Sequence, residues 1–453
     1  MAEAEEWRPW EKLRELAAQP DPKPIADALE QLSEADQVIA LGRLTAEERG
    51  AVLAALEPAR AAELLETLPD VHAAEAVGEL APEAAAEIIG ELWSDDRADL
   101  FGQLEADDVE AILRESPSAT AEEVRSLLQY PPESAGGLMI TEYVAVHEDA
   151  SVAEVVAELR QNVERYADYV AQYVYAVSAA GALRGVLPLR ELLLARSDRK
   201  VRELMIPKPI SLPTSATLDE VFELFDRHAF LGIPVTGKDG RLAGIVLRED
   251  VDDARVDRAA SDQMKSLGIV GGEELRSMPV WLRSSRRLSW LSVSILLNVI
   301  SASMVPLFQD TLVAAIALAF FLPVVSGMSG NAGSQAIAVS LRELSLGLVR
   351  PLDLSYVLAK EASVGALNGL ILGTLIGAVA LLWKGSAMLG LVVGGALALN
   401  TILAVTLGGT IPLLLRRIGA DPALASGPIL TTVTDLCGFF FVLSFASLVL
   451  AHL

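Results

Sequence analysis

Asp435 is the only charged residue between Pro422 and Leu453, in a run of apolar, small and hydroxyl side chains long enough to cross a bilayer. It lies thirteen residues into that run, ~20 Å along a helix, which puts a carboxylate near mid-membrane. Such a group is costly unless a cation, a partner or water accompanies it, and intramembrane carboxylates mark ion pathways. The plainer alternative is a protonated Asp packed between helices. Gly427, Thr431 and Gly438 share its helix face, and Pro428 cannot donate to the carbonyl of Leu424, which leaves an acceptor nearby. Carboxylate, hydroxyl and carbonyl are hard oxygen ligands suited to Mg2+ or Ca2+ and not to soft metals. Mg2+ parts with water reluctantly, so a ring of oxygens contacting its hydration shell suits it. Two copies of Asp435 about a two-fold axis would match the charge of one divalent cation, so a homodimer is expected.

Other polar residues fall in comparable runs. Gly330, Asn331, Gly333 and Ser334 follow one another closely in an otherwise apolar stretch, which suits a water-lined path or a tight helix crossing. Glu361, Gly365, Gly369, Gly373 and Gly377 stand at i, i+4 spacing, so a carboxylate heads a bare backbone stripe. The glycines read first as a close-packing face. Glu361 is either half of an interfacial pair with Lys360 or a group at the ion exit.

These residues need a membrane domain to hold them. Five uncharged or nearly uncharged spans are expected, at Leu288–Gln309, Thr311–Leu341, Ala362–Trp383, Gly385–Leu415 and Pro422–Leu453. Arg283, Arg286, Arg287, Arg342, Arg350, Arg416 and Arg417 fall on one side of them and only Asp310 and Lys384 on the other. The N-terminus is therefore expected in the cytoplasm and the C-terminus outside. Residues 1–283 carry 28 Lys and Arg against 55 Asp and Glu, a net −27, whereas 284–453 carry 8 against 6. So acidic a soluble half argues against nucleic acid as partner. Cys437 is the single cysteine, and the four histidines form no zinc cluster. No nucleophile–base pair or phosphate-binding loop points to an enzyme.

The soluble half carries two repeats. Leucine recurs every twelve residues from Leu32 through Leu44, Leu56, Leu68, Leu80 and Leu92 to Leu104, with Ser, Asp or Pro soon after most of them. Twelve residues make a short helix and a turn, and stacked pairs make a helical solenoid. Further on, Leu138-Met-Ile-Thr141 matches Leu204-Met-Ile-Pro207, and Ser151–Val156 matches Thr217–Phe222. Each copy reads strand, helix, strand, strand, helix, with Tyr173–Val177 against Val186–Leu187 and Ile233–Val235 against Ile245–Leu247. This duplication resembles a pair of CBS domains. Residues 259–287 read as one helical connector, broken at Gly271-Gly272.

Solenoid, CBS pair, connector and five spans in that order resemble the MgtE family of bacterial magnesium channels. The most specific motifs are Gly330–Gln335, Glu361 and the run Asp421–Asp435. The divisions expected are 1–31 N-terminal segment, 32–131 helical solenoid, 136–197 and 198–257 CBS copies, 258–287 connector helix and 288–453 membrane domain. The resemblance implies a homodimeric Mg2+ channel of the cell membrane, gated by cytosolic Mg2+. By that resemblance Asp435 binds the ion in the pore, Asn331 and Glu361 line the path, and Asp95, Asp99 and Asp250 hold regulatory Mg2+. It also implies ATP at the CBS pair, where Arg190 and Glu191 occupy the matching segment, although Pro188 replaces a hydroxyl residue and Glu191 an Asp. The family's dense glutamate run after the second CBS copy is broken here by Arg255 and Arg258, and Ala229 stands where an Asp is usual. Weaker divalent binding is expected there. A carrier exchanging Mg2+ for Na+ or H+ is the alternative, and a CBS sensor that transports nothing is a third class.

Overall fold

The computed structural model of the chain describes residues 8–17, 23–166, 169, 172–271 and 274–449, so Gly272 and the end of the last expected span lie outside the described residues. Its contacts divide it into two units, Met1–Arg255 and Val256–Leu453.

The first unit opens with helices α1 (Pro9–Ala17), α2 (Lys23–Glu30), α3 (Glu34–Leu41), α4 (Ala46–Ala54) and α5 (Pro58–Thr67). It continues through α6 (Asp70–Gly78), α7 (Pro82–Gly90), α8 (Ser94–Gln103), α9 (Ala106–Glu115) and α10 (Ser118–Leu127). Helix starts use the expected chemistry. Thr45 Oγ1 accepts from the Glu48 amide at 3.2 Å while the Glu48 carboxylate accepts from the Thr45 amide at 2.9 Å. Pro58 and Pro82 open α5 and α7. The leucines are not equivalent: Leu44, Leu68 and Leu92 are 4–5% exposed, whereas Leu32, Leu56, Leu80 and Leu104 are only partly buried. The packing repeat is therefore a pair of helices. Accordingly α4 packs on α6, α6 on α8, α5 on α7 and α7 on α9.

A buried arginine repeats with it. Arg49 donates to the Leu44 carbonyl at 2.8 Å and pairs with Glu75 at 2.6 Å. Arg97 donates to the Leu92 carbonyl at 2.7 Å and pairs with Glu123 at 3.1 Å. Each guanidinium satisfies turn carbonyls and ties them to a carboxylate two helices along.

The first CBS copy has strands β1 (Val144–His147), β2 (Tyr173–Val177), β3 (Leu183–Pro188) and β4 (Ile206–Pro207), hydrogen-bonded in that order. The second has β5 (Leu212–Pro213), β6 (Gly232–Thr236) and β7 (Leu242–Leu247). In both, a parallel pair is followed by an antiparallel hairpin. The helices are α11 (Val152–Gln161), α12 (Val163–Tyr166), α13 (Leu189–Leu194), α14 (Val201–Leu204) and α15 (Leu218–Arg227). The duplication extends to detail. Capping boxes open α11 at Ser151 and α15 at Thr217, and both hairpins turn through a left-handed glycine, Gly181 at φ 79° and Gly240 at φ 76°. The copies also bond reciprocally, Leu183 amide to Gly240 carbonyl and Leu242 amide to Gly181 carbonyl, both at 3.1 Å.

Helix α16 (Arg248–Ser266) begins in the first unit and ends in the second. This corrects the expected connector: the helix starts at Arg248, where it continues straight from β7, and stops at Ser266. Left-handed Gly268 (φ 83°) and Gly271 (φ 98°) then turn the chain before α17 (Val280–Ala302). A Cβ on Gly268 would stand 2.1 Å from the Trp290 ring, so the turn lies directly on α17.

After a 3-10 turn at Val305–Phe308 come α18 (Gln309–Ala314), α19 (Leu318–Ser345), α20 (Leu354–Lys384), α21 (Ala387–Arg417) and α22 (Pro422–Leu448). Four segments among the described residues are long and apolar enough to cross a membrane: Val280–Ala314 and the helices α20, α21 and α22. Five were expected, and the difference is the second span. It forms α19, which is 28 residues long but carries Ser326, Ser329, Asn331, Ser334 and Gln335, with Arg342 and Glu343 near its end.

The glycine stripe on α20 faces α21. A Cβ on Gly369 would lie 2.5 Å from the Ala398 carbonyl oxygen, and one on Gly373 2.5 Å from that of Gly394. Backbone meets backbone here, as the packing reading expected. Gly373→Val should cost about 2 kcal/mol or more by overpacking, read as a lower unfolding midpoint in detergent. Gly327→Ala, where nothing lies within 4 Å of the new Cβ, should leave that midpoint unchanged.

Candidate cation sites

Asp421 caps α22, accepting from the Ala423 and Leu424 amides at 2.8 and 3.3 Å, and Pro422 follows at the first turn. Asp421 also pairs with Lys265 at the end of α16, at 3.6 Å. About four turns further on, Asp435 is half-buried and accepts a hydrogen bond from the Ser326 hydroxyl of α19. The preceding carbonyl, Thr434, accepts from the Asn400 amide of α21 at 3.0 Å. Asn400 is fully buried and its Oδ1 has no hydrogen-bond partner. Gly438 makes this approach possible, since a Cβ there would stand 2.8 Å from Asn400 Nδ2 and 3.7 Å from the Ser326 Cα. The carboxylate thus sits where three helices meet.

The other expected pore residues are not drawn to it within one chain. Thr431 is exposed and donates to the Gly427 carbonyl of its own helix at 3.0 Å. Asn331 lines a separate cavity of about 280 Å3 with Gln335 of α19 and Asn368 of α20. Glu361 packs on α21, where a Cβ on Gly409 would lie 2.4 Å from its Cγ. No ion pair joins it to Lys360 among the described residues; Lys360 lies over the Tyr356 ring at 5.8 Å. Sequence reasoning missed Ser326 and Asn400. The signal for Asn400 was present: it is the one carboxamide in the fourth span.

In the first unit, Asp95 on α8 and Asp250 of α16 lie close enough to feel each other's charge, Asp96 feels Glu66, Asp99, Asp250 and Asp70, and Asp99 feels Asp70. Burial, then Asp96, pushes Asp95 up to about 7, and its Oδ1 is buried without a partner. Burial, then Asp95, pushes Asp250 to about 7; its side chain accepts from the Leu247 amide at 3.3 Å. Asp96 and Asp99 keep some surface in solvent while protein packs around the rest. That surrounding comes first, followed by Glu66 and Asp99 for Asp96, raised to about 7, and by Asp70 for Asp99, raised to about 6. Asp96, Glu66 and Asp70 are additions to the expected set. The carboxylates do not converge as a ready ligand set, since no group of three or more His, Cys, Asp or Glu positioned to hold a metal occurs among the described residues.

Neighbouring cations are committed elsewhere. Arg97 is spent on turn carbonyls and Glu123, and Arg255 pairs with Asp226 at 2.8 Å and lies over Phe222. Ser94 Oγ donates to Glu142 at 2.7 Å and accepts from the Thr141 amide at 2.8 Å, joining α8 to the CBS copies. Arg190 and Glu191, the expected nucleotide pair, are both exposed at the start of α13.

A multi-pass membrane domain with a carboxylate at a three-helix junction, following a helical domain and a CBS pair in the chain, is the composition of a cation-transport protein. Family models agree. The divalent cation transporter model MgtE matches 322–445, the MgtE intracellular N domain 32–133 and the CBS domain 201–257. The magnesium transporter MgtE of Bacillus subtilis is 34% identical over 319 residues, 70% of each chain. That of Thermus thermophilus is 38% identical over 337 residues, 73% of each. A crystal structure of the cytosolic domain of the Mg2+ channel MgtE in complex with ATP is 31% identical, covers 54% of this chain and 94% of that one, and has a TM-score of 0.34. The chain belongs to the MgtE family of magnesium transporters.

The raised carboxyls set a pH dependence. A carboxyl whose folded value lies above its unfolded value near 3.8 favours the folded junction while protonated, and that contribution is lost as pH rises through about 6 to 7. A divalent cation should restore what deprotonation removes. Mg2+ should therefore slow amide exchange in α8 strongly at pH 8 and little at pH 5.5, measured by hydrogen–deuterium exchange on the full chain.

Proposed function

We propose that this chain is a homodimeric Mg2+ channel of the cell membrane, closed by cytosolic Mg2+ acting on its helical and CBS domains. The observation that carries the reading is Asp435, held by Ser326 beside the Asn400–Thr434 contact, as the single carboxylate of α22. In this proposal two copies of Asp435 face one hydrated Mg2+ across a two-fold axis, and Asn331, Glu361 and Thr431 line the path before and after it. Helix α19, ~42 Å long at 28 residues, crosses as a fifth and polar span. With five spans the proposed orientation has the N-terminus in the cytoplasm and the C-terminus outside, a reading that the side on which the arginines fall supports.

For gating, the paired helices of 32–131 act as a solenoid that presents Asp95 and Asp99 to Asp250. Mg2+ between them offsets mutual repulsion and favours the compact form. Helix α16 carries Asp250 near its start and Lys265 near its end, and Lys265 bonds the cap of α22. A shift at the acidic cluster can thereby reach the helix that bears Asp435. Arg190 and Glu191 are the residues proposed for ATP. A carrier exchanging Mg2+ for Na+ or H+ would need a second ion site, for which Glu361 is the candidate.

Asp435→Asn should reduce Mg2+ uptake into vesicles to background while dimer mass and folding are kept; wild-type flux would remove the reading. In the wild type, current should reverse at the Mg2+ equilibrium potential whatever the Na+ or H+ gradient, and dependence on either would favour the carrier. Protease protection around Gly271 should rise with Mg2+ and lose that dependence in Asp95→Ala with Asp250→Ala.

A further inference from the structure

The turn of α22 that carries Asp435 is braced from three neighbouring helices. The Thr432 carbonyl accepts from Ser301 Oγ of α17 at 3.0 Å, and the Thr434 carbonyl accepts from Asn400 Nδ2 of α21 at 3.0 Å. Ser301 is 1% exposed and Asn400 fully buried, so packing locks both donors in place. The backbone under Asp435 is therefore held on two sides before its side chain makes any contact. From the third side, Ser326 of α19 donates to one carboxylate oxygen. The crossing that admits it is close, with the Ser326 Cα 3.7 Å from where a Cβ on Gly438 would stand.

These anchors fix orientation as well as position. An aspartate carboxyl swings about two torsions, and a hydroxyl from another helix on one of its oxygens removes that freedom. Lone pairs remain for water, but the group is not free to turn edge-on and take an ion between both oxygens. The nearby hydroxyls of Thr431, Thr432 and Thr434 do not compete for it, since each donates to a carbonyl of α22. Divalent cations differ in what they ask of such a group. Ca2+ takes about six to eight oxygens in flexible geometry and accepts a carboxylate through one oxygen or both. Mg2+ demands a near-octahedral shell and keeps much of its water. A carboxylate that cannot turn suits the ion that is met through its water.

We infer that Ser326 sets the preference of this path for Mg2+ over Ca2+, as a positioning residue that acts through Asp435. Its hydroxyl holds the carboxylate back, and so denies Ca2+ the two-oxygen grip that would replace lost water. The inference rests on Asp435 being the ion-binding group of the proposed pore. It goes beyond that reading by assigning the discrimination between two divalent ions to a residue that binds neither.

The test is uptake of Mg2+ and of Ca2+ by the full chain in vesicles, at equal concentration and membrane potential, read as the ratio of the Ca2+ rate to the Mg2+ rate. A ratio of two rates does not depend on how much protein folds. Ser326→Ala should raise it at least fivefold. Ser326→Thr, which returns a hydroxyl to the same position, should bring it back to within twofold of the wild type. Thr374→Ala removes a hydroxyl that bonds the Leu370 carbonyl of α20 at 2.7 Å, and should leave the ratio where it was. Asp435→Asn, run alongside, separates two failures. Flux retained in Asp435→Asn would overturn the pore reading and this assignment with it. Flux lost in Asp435→Asn with an unchanged ratio in Ser326→Ala would overturn the assignment alone, as would a ratio raised equally by Ser326→Thr or by Thr374→Ala.

Discussion

A carboxylate inside a bilayer has few ways to remain there, and the membrane unit is arranged around that restriction. Asp435 has no basic side chain on its own helix to answer it. The hydroxyls of Ser426, Thr431, Thr432 and Thr434 are turned back on carbonyls of α22 itself. What the described residues supply is one donor, Ser326, from α19. Bringing that donor in requires a close crossing, and Gly438 provides it. The same crossing lets Asn400 reach the Thr434 carbonyl and fix the turn that carries the carboxylate. Of the polar side chains that keep α19 from looking like an ordinary span, Ser326 serves this neighbour, whereas Asn331 and Gln335 line the separate cavity beside α20. With one donor on a half-buried carboxylate, most of its lone pairs are left for water or a cation.

Close approach elsewhere in the unit comes from omission of side chains. Gly369 and Gly373 of α20 lie against the Ala398 and Gly394 carbonyls of α21, and Gly408 of α21 meets the Gly333 carbonyl of α19. Small faces hold these helices by dispersion at short range, since lipid offers no hydrophobic gain to helix association. Apolar area on α17 and on the outer side of α20 is left facing outward, including Leu291, Ile295, Leu370 and Leu375.

What could be read from the sequence was whatever is periodic. The twelve-residue leucines, the duplicated CBS copies and the glycine stripe are local patterns with a fixed step, and each maps onto one element or one turn. The pairing of helices was hidden because leucines of two burial classes, such as Leu44 and Leu56, are the same letter. The buried Arg49 and Arg97 were hidden for a related reason: a guanidinium serving turn carbonyls looks like any surface arginine until the turn exists. Asp96 neighbours Asp95 in the sequence, but Glu66 and Asp70 join them only because α8 stacks over the helices before it, so that part of the mutual charge belongs to the packing. The start of the connector was misplaced because α16 grows directly out of β7, and its end because Gly268 stops it before the Gly271-Gly272 pair.

The two acidic sites solve opposite problems. In the membrane a single charge must be kept tolerable, and the chain gives it a donor and a close crossing. At the junction of α8 with the CBS copies, several charges must be kept apart, and the chain withholds compensation. Arg97, buried beside them, is spent on Ile89 and Leu92 carbonyls and on Glu123. Arg255, which interrupts the acidic run of α16, turns away to Asp226 and Phe222. Its cost to the proposed Mg2+ site would therefore come through the long-range field and not through an ion pair with Asp250. A junction kept short of cations in this way holds protons well above the usual carboxylate range, and the proposed Mg2+ would bind by displacing them. On the proposed gating, the affinity of that exchange would depend on how many carboxylates must separate when the ion leaves, so a chain with fewer of them and two interposed arginines would have less to gain from closing.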